Sequence, residues 1–250
     1  MALLEEMESQ GNWLFKYRGV LPIIILLVGA YLHLQTVLHP EIWVLAETPY
    51  EVIYETGCLL ISLLGLSIRI YTVGYTPANT SGRNTGSQIA DTLNTAGIYS
   101  IVRHPLYLGN FFMWTGVALL TANFWFIIAF IVLYWLYYER IMFAEEQFLR
   151  KKMGEPYLNW AAKTPAFIPR FSQFVKSSYS FSWKKVLRQE KNGLVATFLI
   201  FSLFDVAGEI VKKKSDYNYF FLAGFIASLI AYLVLKYLKY RTNILDEKGR

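Results

Sequence analysis

Six apolar segments alternate with polar stretches along the chain. The third and fourth are separated only by Thr121, Ala122 and Asn123, which predicts a tight helical hairpin. Because a helix needs about 20 predominantly apolar residues to cross a bilayer, the pattern predicts an all-α integral membrane protein with about six transmembrane or interfacial helices. The segments lie near 20–38, 52–74, 105–122, 123–138, 193–211 and 219–238.

Composition supports a membrane protein and excludes some other classes. Hydrophobic residues make up 55% of the 250 positions, which is too apolar for an ordinary soluble domain. Glu5, Glu6 and Glu8 argue against a cleavable signal peptide, so the first apolar segment is expected to remain as a span. The single cysteine, Cys58, excludes an internal disulfide and a cysteine metal cluster, and it is expected to be a buried small hydrophobe. No metal site is predicted.

The distribution of positive charge predicts an orientation. Lysine and arginine are absent from 39–51 and from 121–124, whereas 139–192 contains eleven of them. The positive-inside rule therefore places 139–192, and with it the 76–104 loop, in the cytosol of a bacterium or on the cytosolic face of the endoplasmic reticulum. Three lysines depart from the positive-inside rule, because Lys212, Lys213 and Lys214 would lie on the far side of the membrane. Either the last two segments form a shallow hairpin or the rule fails locally. The net charge of +6 suits anionic lipid, and no nucleic-acid partner is expected.

Polar stretches divide the chain into four regions. The first comprises a span and a loop, 1–51, and it is followed by a core, 52–171, which closes with Pro165 and Pro169 because proline stops a helix. Residues 172–192 are expected to form an interfacial connector, and 193–250 a two-helix extension.

The stretch GIYSIVRHPLYLGN, residues 97–110, places charge at the start of the third apolar segment. Pro105 suits the first helical position, which makes His104 the expected cap. A helix beginning there presents free N–H groups and a partial positive charge, which bind anions, and Arg103 adds to that charge. Tyr107 supplies a hydroxyl, and Gly109 allows close approach of a backbone or a ligand. The alternative is an interfacial anchor with a snorkelling arginine.

A second polar cluster follows the fourth segment, in ERIMFAEEQFLRKKMGEPYLNW, residues 139–160. Because the hairpin returns the chain to the same side of the membrane, Arg140, Glu145 and Glu146 are expected near His104, around a pocket half in lipid. In the alternative, the two glutamates form a solvated helix face and pair with Arg150 and Lys151.

Together these two stretches resemble the isoprenylcysteine carboxyl methyltransferase family, and more distantly the phospholipid amine methyltransferases, over residues 52 to 170. The resemblance implies S-adenosylmethionine as cofactor. It also implies that Arg140 and Glu145 flank the acceptor group and are the catalytic residues. Taken with the preceding analysis, it predicts these cofactor-binding residues: Thr92, Leu93, Tyr99, Arg103, His104, Pro105, Leu106, Tyr107, Gly109 and Glu146.

The residues favour one acceptor chemistry without excluding others. An acceptor oxygen that is already anionic needs no general base, and an arginine orients it, whereas an amine must first lose a proton, for which an ordinary glutamate is a poor base. O-methylation of a carboxylate or phosphate on a lipid or a lipid-linked small molecule or protein is therefore predicted. A phospholipid amine N-methyltransferase and a non-enzymatic membrane transporter or scaffold are the alternatives.

Overall fold

The computed structural model describes residues 2–46, 48–78, 80 and 88–249, and these residues form an all-helical protein. Within the predicted 76–104 loop, residues 79 and 81–87 therefore lie outside the described residues. Within the described ranges there are eight α-helices: α1 Leu3–Lys16, α2 Leu21–Leu38, α3 Tyr50–Gly74, α4 Pro105–Leu120, α5 Phe124–Met153, α6 Glu155–Ala161, α7 Trp183–Lys212 and α8 Tyr219–Arg241.

The predicted fold class is confirmed. Among the described residues, four helices (α3, α5, α7 and α8) are long and apolar enough to cross a membrane, and two shorter apolar helices cover Pro22–Leu38 and Pro105–Leu120. The helix that contains the predicted fourth span continues well past residue 138, to Met153. Helix α7 begins at Trp183, inside the predicted 172–192 connector.

The turn between α4 and α5 lies where the sequence predicts it. Ala122 adopts a positive φ of 51°, and the side chain of Asn123 accepts a hydrogen bond from the backbone N–H of Phe126. An asparagine in this position satisfies one of the free N–H groups at the start of a helix. The hairpin therefore brings the end of α5 back beside the start of α4.

Helices α3 and α4 pack closely along a seam of small residues. A Cβ atom added to Gly65 would collide with the carbonyl oxygen of Gly109, and one added to Gly116 would collide with Ser62 and the carbonyl oxygen of Cys58. Ser62 also donates a 2.8 Å hydrogen bond to the carbonyl oxygen of Met113. Small residues and interhelical hydroxyl bonds are typical of helix packing in membranes. Cys58 is buried, as predicted.

Helix α1 was not predicted from the hydrophobic pattern. It packs against the end of α5, where Gly11 lies directly on the backbone carbonyl of Arg140 and on Ala144. Phe15 is buried in a core cluster with Tyr134 and Tyr138 of α5. The helix therefore covers one side of α5 close to Glu145.

The ends of the long helices lie at two opposite sides of the helical bundle. At one, the backbone N–H of Ser182, just before α7, donates to the carbonyl of Gly74 at the end of α3, and a large cavity opens there; we call it the cavity end. At the opposite, far end, Lys212 of α7 lies 3.4 Å from Glu51 of α3 and 3.6 Å from Glu209. Lys212 thus lies at the opposite end from the cavity, beside two carboxylates that offset its charge.

Candidate active site

A cavity of about 960 Å³ lies at the cavity end, and most of the predicted site residues line it. Its wall combines the loop before α4, the first turn of α4, the end of α5 and the start of α7. The predicted residues that line it are Thr92, Leu93, Tyr99, Arg103, His104, Pro105, Leu106, Tyr107 and Glu145. Gly109, Arg140 and Glu146 are not among the described residues that line it.

Glu145 lies at the centre of the polar wall. Its Oε1 accepts a 2.7 Å hydrogen bond from the hydroxyl of Tyr107, and its Oε2 lies 3.8 Å from Nδ1 of His104. Tyr107 is held in turn, because its backbone carbonyl accepts a 2.7 Å bond from the hydroxyl of Tyr134. A carboxylate and a phenol are therefore fixed side by side at the cavity surface.

Glu146 contacts the loop before α4 rather than the cavity. One of its carboxylate oxygens lies 2.8 Å from Nε2 of His104, and the other accepts a 2.7 Å hydrogen bond from Nη1 of Arg103. Successive residues of a helix differ by about 100° around its axis, so adjacent glutamates reach different partners. Glu146 thus holds Arg103 and His104 in place, and its predicted direct contact with a cofactor is not supported by this geometry.

The start of α4 has the predicted arrangement, with one difference. His104 occupies the cap position and Pro105 the first helical position. Among the described residues, however, the side chain of His104 makes no capping hydrogen bond; it binds Glu146 instead. The first turn of α4 therefore faces the cavity with its N–H groups uncapped by this side chain, which suits an anion.

The segment before α4 is held in place by residues that follow the core helices. The backbone N–H of Gly97 donates to the carbonyl of Val175, and that of Arg103 to the carbonyl of Pro165. Trp160 donates a 3.1 Å hydrogen bond to the carbonyl of Tyr99. Burial raises the pKa of Tyr99, so that its phenol stays neutral in the cavity wall.

Gly109 has a packing function in this structure. A Cβ atom added there would lie 2.6 Å from Cγ of Arg69 and 2.8 Å from the carbonyl oxygen of Gly65. The close approach predicted at Gly109 is therefore made by the backbone of α3 and the side chain of Arg69. We do not assign Gly109 to cofactor binding.

Arg140 is not among the described residues that line the cavity. Its backbone carbonyl packs on Gly11 of α1. It precedes Glu145 by five positions, which is about 140° around the helix axis, so the two side chains leave α5 in different directions. The predicted pairing of Arg140 with Glu145 around the acceptor is therefore not supported.

Other charged residues line the cavity and were not found from the sequence. Arg69 of α3 donates to Glu190 of α7 through Nε at 2.9 Å and Nη2 at 3.0 Å, and to Asn110 of α4 through Nη1 at 2.7 Å. Arg18, just after α1, also faces the cavity, with its guanidinium 3.9 Å from the ring centre of Phe15. Each lies in an apolar or helical context without a motif, so only the fold brings them together.

The segment after α8 forms part of the cavity rim. Leu245 is buried there, Asp246 forms a 2.8 Å ion pair with Arg188, and Glu247 accepts a hydrogen bond from Ser182. The backbone N–H of Ala78 donates to the carbonyl of Gly249. Residues of the predicted C-terminal extension therefore close one side of the cavity.

Part of the chain matches known proteins. Residues 54–155 match the phospholipid methyltransferase family. The cobalt-zinc-cadmium resistance protein CzcN of Cupriavidus metallidurans is 32% identical over 118 residues, which cover 46% of this chain and 52% of that protein. Protein-S-isoprenylcysteine O-methyltransferase of Schizosaccharomyces pombe is 37% identical over 78 residues, which cover 31% of this chain and 33% of that protein.

A further relative is protein-S-isoprenylcysteine O-methyltransferase B of Arabidopsis thaliana, 38% identical over 79 residues that cover 31% of this chain and 39% of that protein. The predicted resemblance to isoprenylcysteine carboxyl methyltransferases is therefore confirmed. The matched part of the chain spans about half of CzcN and 33–39% of the two methyltransferases. No solved structure matches the chain significantly.

Proposed function

We propose that the protein is an integral membrane methyltransferase that uses S-adenosylmethionine to O-methylate an anionic group on a lipid or prenyl-linked substrate. The observation that carries this proposal is the Tyr107–Glu145 pair at the cavity surface, next to the start of α4. Its support from the comparisons is the match of 54–155 to a methyltransferase family.

The cavity fits S-adenosylmethionine in size and in chemistry. Its volume lies within the range of about 300–1,000 Å³ that is typical of small-molecule sites. Arg103 binds Glu146 through Nη1, whereas its buried Nε has no hydrogen-bond partner among the described residues, and with the first turn of α4 it suits a carboxylate. Tyr99 and Trp160 provide aromatic faces for a base or a cation. We assign the cofactor to Thr92, Leu93, Tyr99, Arg103, His104, Pro105, Leu106 and Tyr107.

The chain's own residues have an aligning role in the reaction. When bound, S-adenosylmethionine supplies a methyl group attached to a positively charged sulfur. An anionic acceptor oxygen carries a lone pair and releases no proton when its bond to the methyl carbon forms, so no residue has to act as a general base. Glu145, held by Tyr107, borders the acceptor position without donating to the anionic oxygen, and the buried wall excludes water; alignment of this kind accounts for a large part of such catalysis.

We further propose that the cavity end faces the cytosol. The arginine- and lysine-rich stretch 139–192 lies at this end, in agreement with the positive-inside rule. Lys212 at the far end is offset by Glu51 and Glu209, which accounts for one of the three lysines that depart from the rule. The bilayer is that of a bacterial inner membrane or of the endoplasmic reticulum.

Cofactor binding provides the first test. We expect detergent-purified protein to bind S-adenosylmethionine saturably. His104→Ala should bind it about ten- to a hundredfold more weakly, because a hydrogen bond between His104 and a charged group of the cofactor would contribute about 1.5–3 kcal/mol. The loss of His104 also frees Glu146 from one of its two partners at the start of α4. Isothermal titration calorimetry measures both affinities.

His39→Ala is the matched control, because His39 is an exposed histidine beside Glu41 at the far end and should leave the affinity unchanged. Wild-type affinity in His104→Ala would contradict the placement of the cofactor. An absence of saturable binding in the wild type would contradict the methyltransferase and favour a transporter or scaffold.

The acceptor is a separate question, because the family that matches 54–155 is described as phospholipid methyltransferase, and N-methylation of a lipid amine is therefore a second candidate. Each buried methylene of a lipid tail contributes about 0.8 kcal/mol, so a long tail supplies most of the affinity. We expect label from S-adenosylmethionine to enter a carboxylate or phosphate ester when the protein is incubated with total lipid extract or with a farnesylated cysteine analogue.

The position of the label distinguishes the candidates. Label in an amine headgroup would contradict O-methylation. Label confined to a water-soluble molecule would contradict an acceptor that reaches the cavity laterally from the bilayer.

A further inference from the structure

Arg69 and Glu190 form a buried ion pair in the cavity wall that the sequence motifs do not include. Both residues line the cavity, and their side chains are only 17% and 4% exposed. Two N–H groups of Arg69 bind the two carboxylate oxygens of Glu190, and a third binds Oδ1 of Asn110. A guanidinium has five N–H donors, so these contacts with described residues engage three of the five.

The pair joins three helices that are distant in sequence. Arg69 belongs to α3, Asn110 to α4, and Glu190 lies 121 positions from Arg69, on α7. Gly109 makes the arrangement possible, because a Cβ atom there would press on the stem of Arg69. Glu190 lies outside the matched region 54–155, so the part of the chain beyond that region contributes directly to the cavity.

Arg69 lies deeper in the helical bundle than the start of α4. Its partner Asn110 follows Pro105 by five residues, which is about 7.5 Å along the helix axis. Apolar groups adjoin this level: Trp114 lines the cavity, and Gly193 of α7 packs near Leu66 and Met113. A ligand that contacts Arg69 is thus on the bilayer side of the proposed cofactor wall.

We infer that Arg69 binds the anionic group of the lipid-linked acceptor and that Glu190 is the positioning residue that orients it. This inference rests on the proposed function and names the arginine that receives the acceptor, a role that the family resemblance implies for Arg140. A carboxylate or phosphate accepts the N–H groups that Glu190 and Asn110 leave available. Because Glu190 offsets the charge of Arg69, the arginine contributes directed hydrogen bonds and little long-range attraction.

Methylation kinetics test the inference, with a farnesylated cysteine analogue and a phosphatidic acid as the two acceptor probes. Arg69→Lys keeps the charge but loses the planar fork, so we expect KM for the methylated probe to rise at least about tenfold while cofactor affinity is unchanged. Glu190→Gln should raise the same KM by a smaller factor, since glutamine retains one acceptor oxygen.

The exchanged pair Arg69→Glu with Glu190→Arg separates a binding role from a structural one. It keeps an ion pair between α3 and α7, so we expect it to recover thermal stability relative to Arg69→Glu alone, without recovering the acceptor KM. Lys212→Gln is the matched control, because Lys212 also joins α7 to α3, through Glu51, at the far end. It should lower stability without changing either KM.

An unchanged acceptor KM in Arg69→Lys, or a wild-type KM in the exchanged pair, would overturn the inference. Methylation of neither probe by wild-type protein that binds S-adenosylmethionine would also overturn it, because Arg69 would have no anionic acceptor. Failure of the proposed function itself is distinguishable, since wild-type protein would then bind no cofactor.

Discussion

Replacing Glu145 by glutamine should lower turnover about a hundredfold while changing cofactor affinity only slightly. The carboxylate accepts the Tyr107 hydroxyl at 2.7 Å, and an amide in its place presents N–H donors to either the phenol or the cavity. Either orientation shifts the acceptor, and a displacement of about 1 Å can cost about a hundredfold in rate. Single-turnover methylation with saturating cofactor, together with calorimetric binding, measures the two quantities separately.

Two glutamates on the same helix provide the controls. Glu139→Gln, which alters an exposed residue, should change neither quantity. Glu146→Gln should mainly weaken cofactor binding, because it removes charge from beside Arg103 and His104. Equal losses of turnover and affinity in Glu145→Gln would instead identify Glu145 as a structural residue or a cofactor ligand.

Gly65→Ala should destabilise the protein, although alanine is the better helix former. Intrinsic propensity favours alanine over glycine by about 0.8–1.0 kcal/mol within a helix. The added Cβ, however, would lie 2.5 Å from the backbone nitrogen of Met113 and collide with the carbonyl oxygen of Gly109. Overpacking typically costs about 1–3 kcal/mol, and we expect the upper part of that range because backbone atoms cannot rotate away. Thermal unfolding in detergent, followed by tryptophan fluorescence, measures the change.

Gly57→Ala on the same helix is the matched control. Among the described residues, nothing lies within 4 Å of a Cβ atom at Gly57, so the substitution should be neutral or slightly stabilising. Similar melting temperatures for the two variants would show that α3 and α4 are not in close backbone contact at Gly65. Turnover should also fall in Gly65→Ala, because the same contact positions α4 and Arg69.

The apolar helices could be predicted because the bilayer imposes a length and a composition on them. The turn at Thr121, Ala122 and Asn123 interrupts an apolar run with residues suited to a turn and a cap, and the structure has it there. Helix α1 could not be found in the same way. Its early glutamates make it look polar, and its helical stability comes from packing against α5 through Gly11 and Phe15, which a local pattern does not contain.

The site residues also differ in whether they could be predicted from local sequence. His104, Tyr107 and Glu145 could be predicted as neighbours because a short hairpin returns the chain to one side of the membrane. The partnership of Arg69 with Glu190 could not, since nothing local connects positions 121 residues apart. The role of Arg140 stays a prediction: it is not among the described residues that line the cavity, and five positions along a helix turn its side chain to another face from that of Glu145.

The Lys212–Glu51 pair has a consequence for the biogenesis of the protein. In the orientation that we propose, Lys212 and the two lysines after it must be translocated across the bilayer while the α7–α8 pair is being inserted. Glu51 is synthesised 161 residues earlier, at the start of α3. We therefore expect Glu51 to be in place at the far surface before Lys212 arrives there. The α7–α8 hairpin would then insert against an existing helical bundle and not as an independent unit.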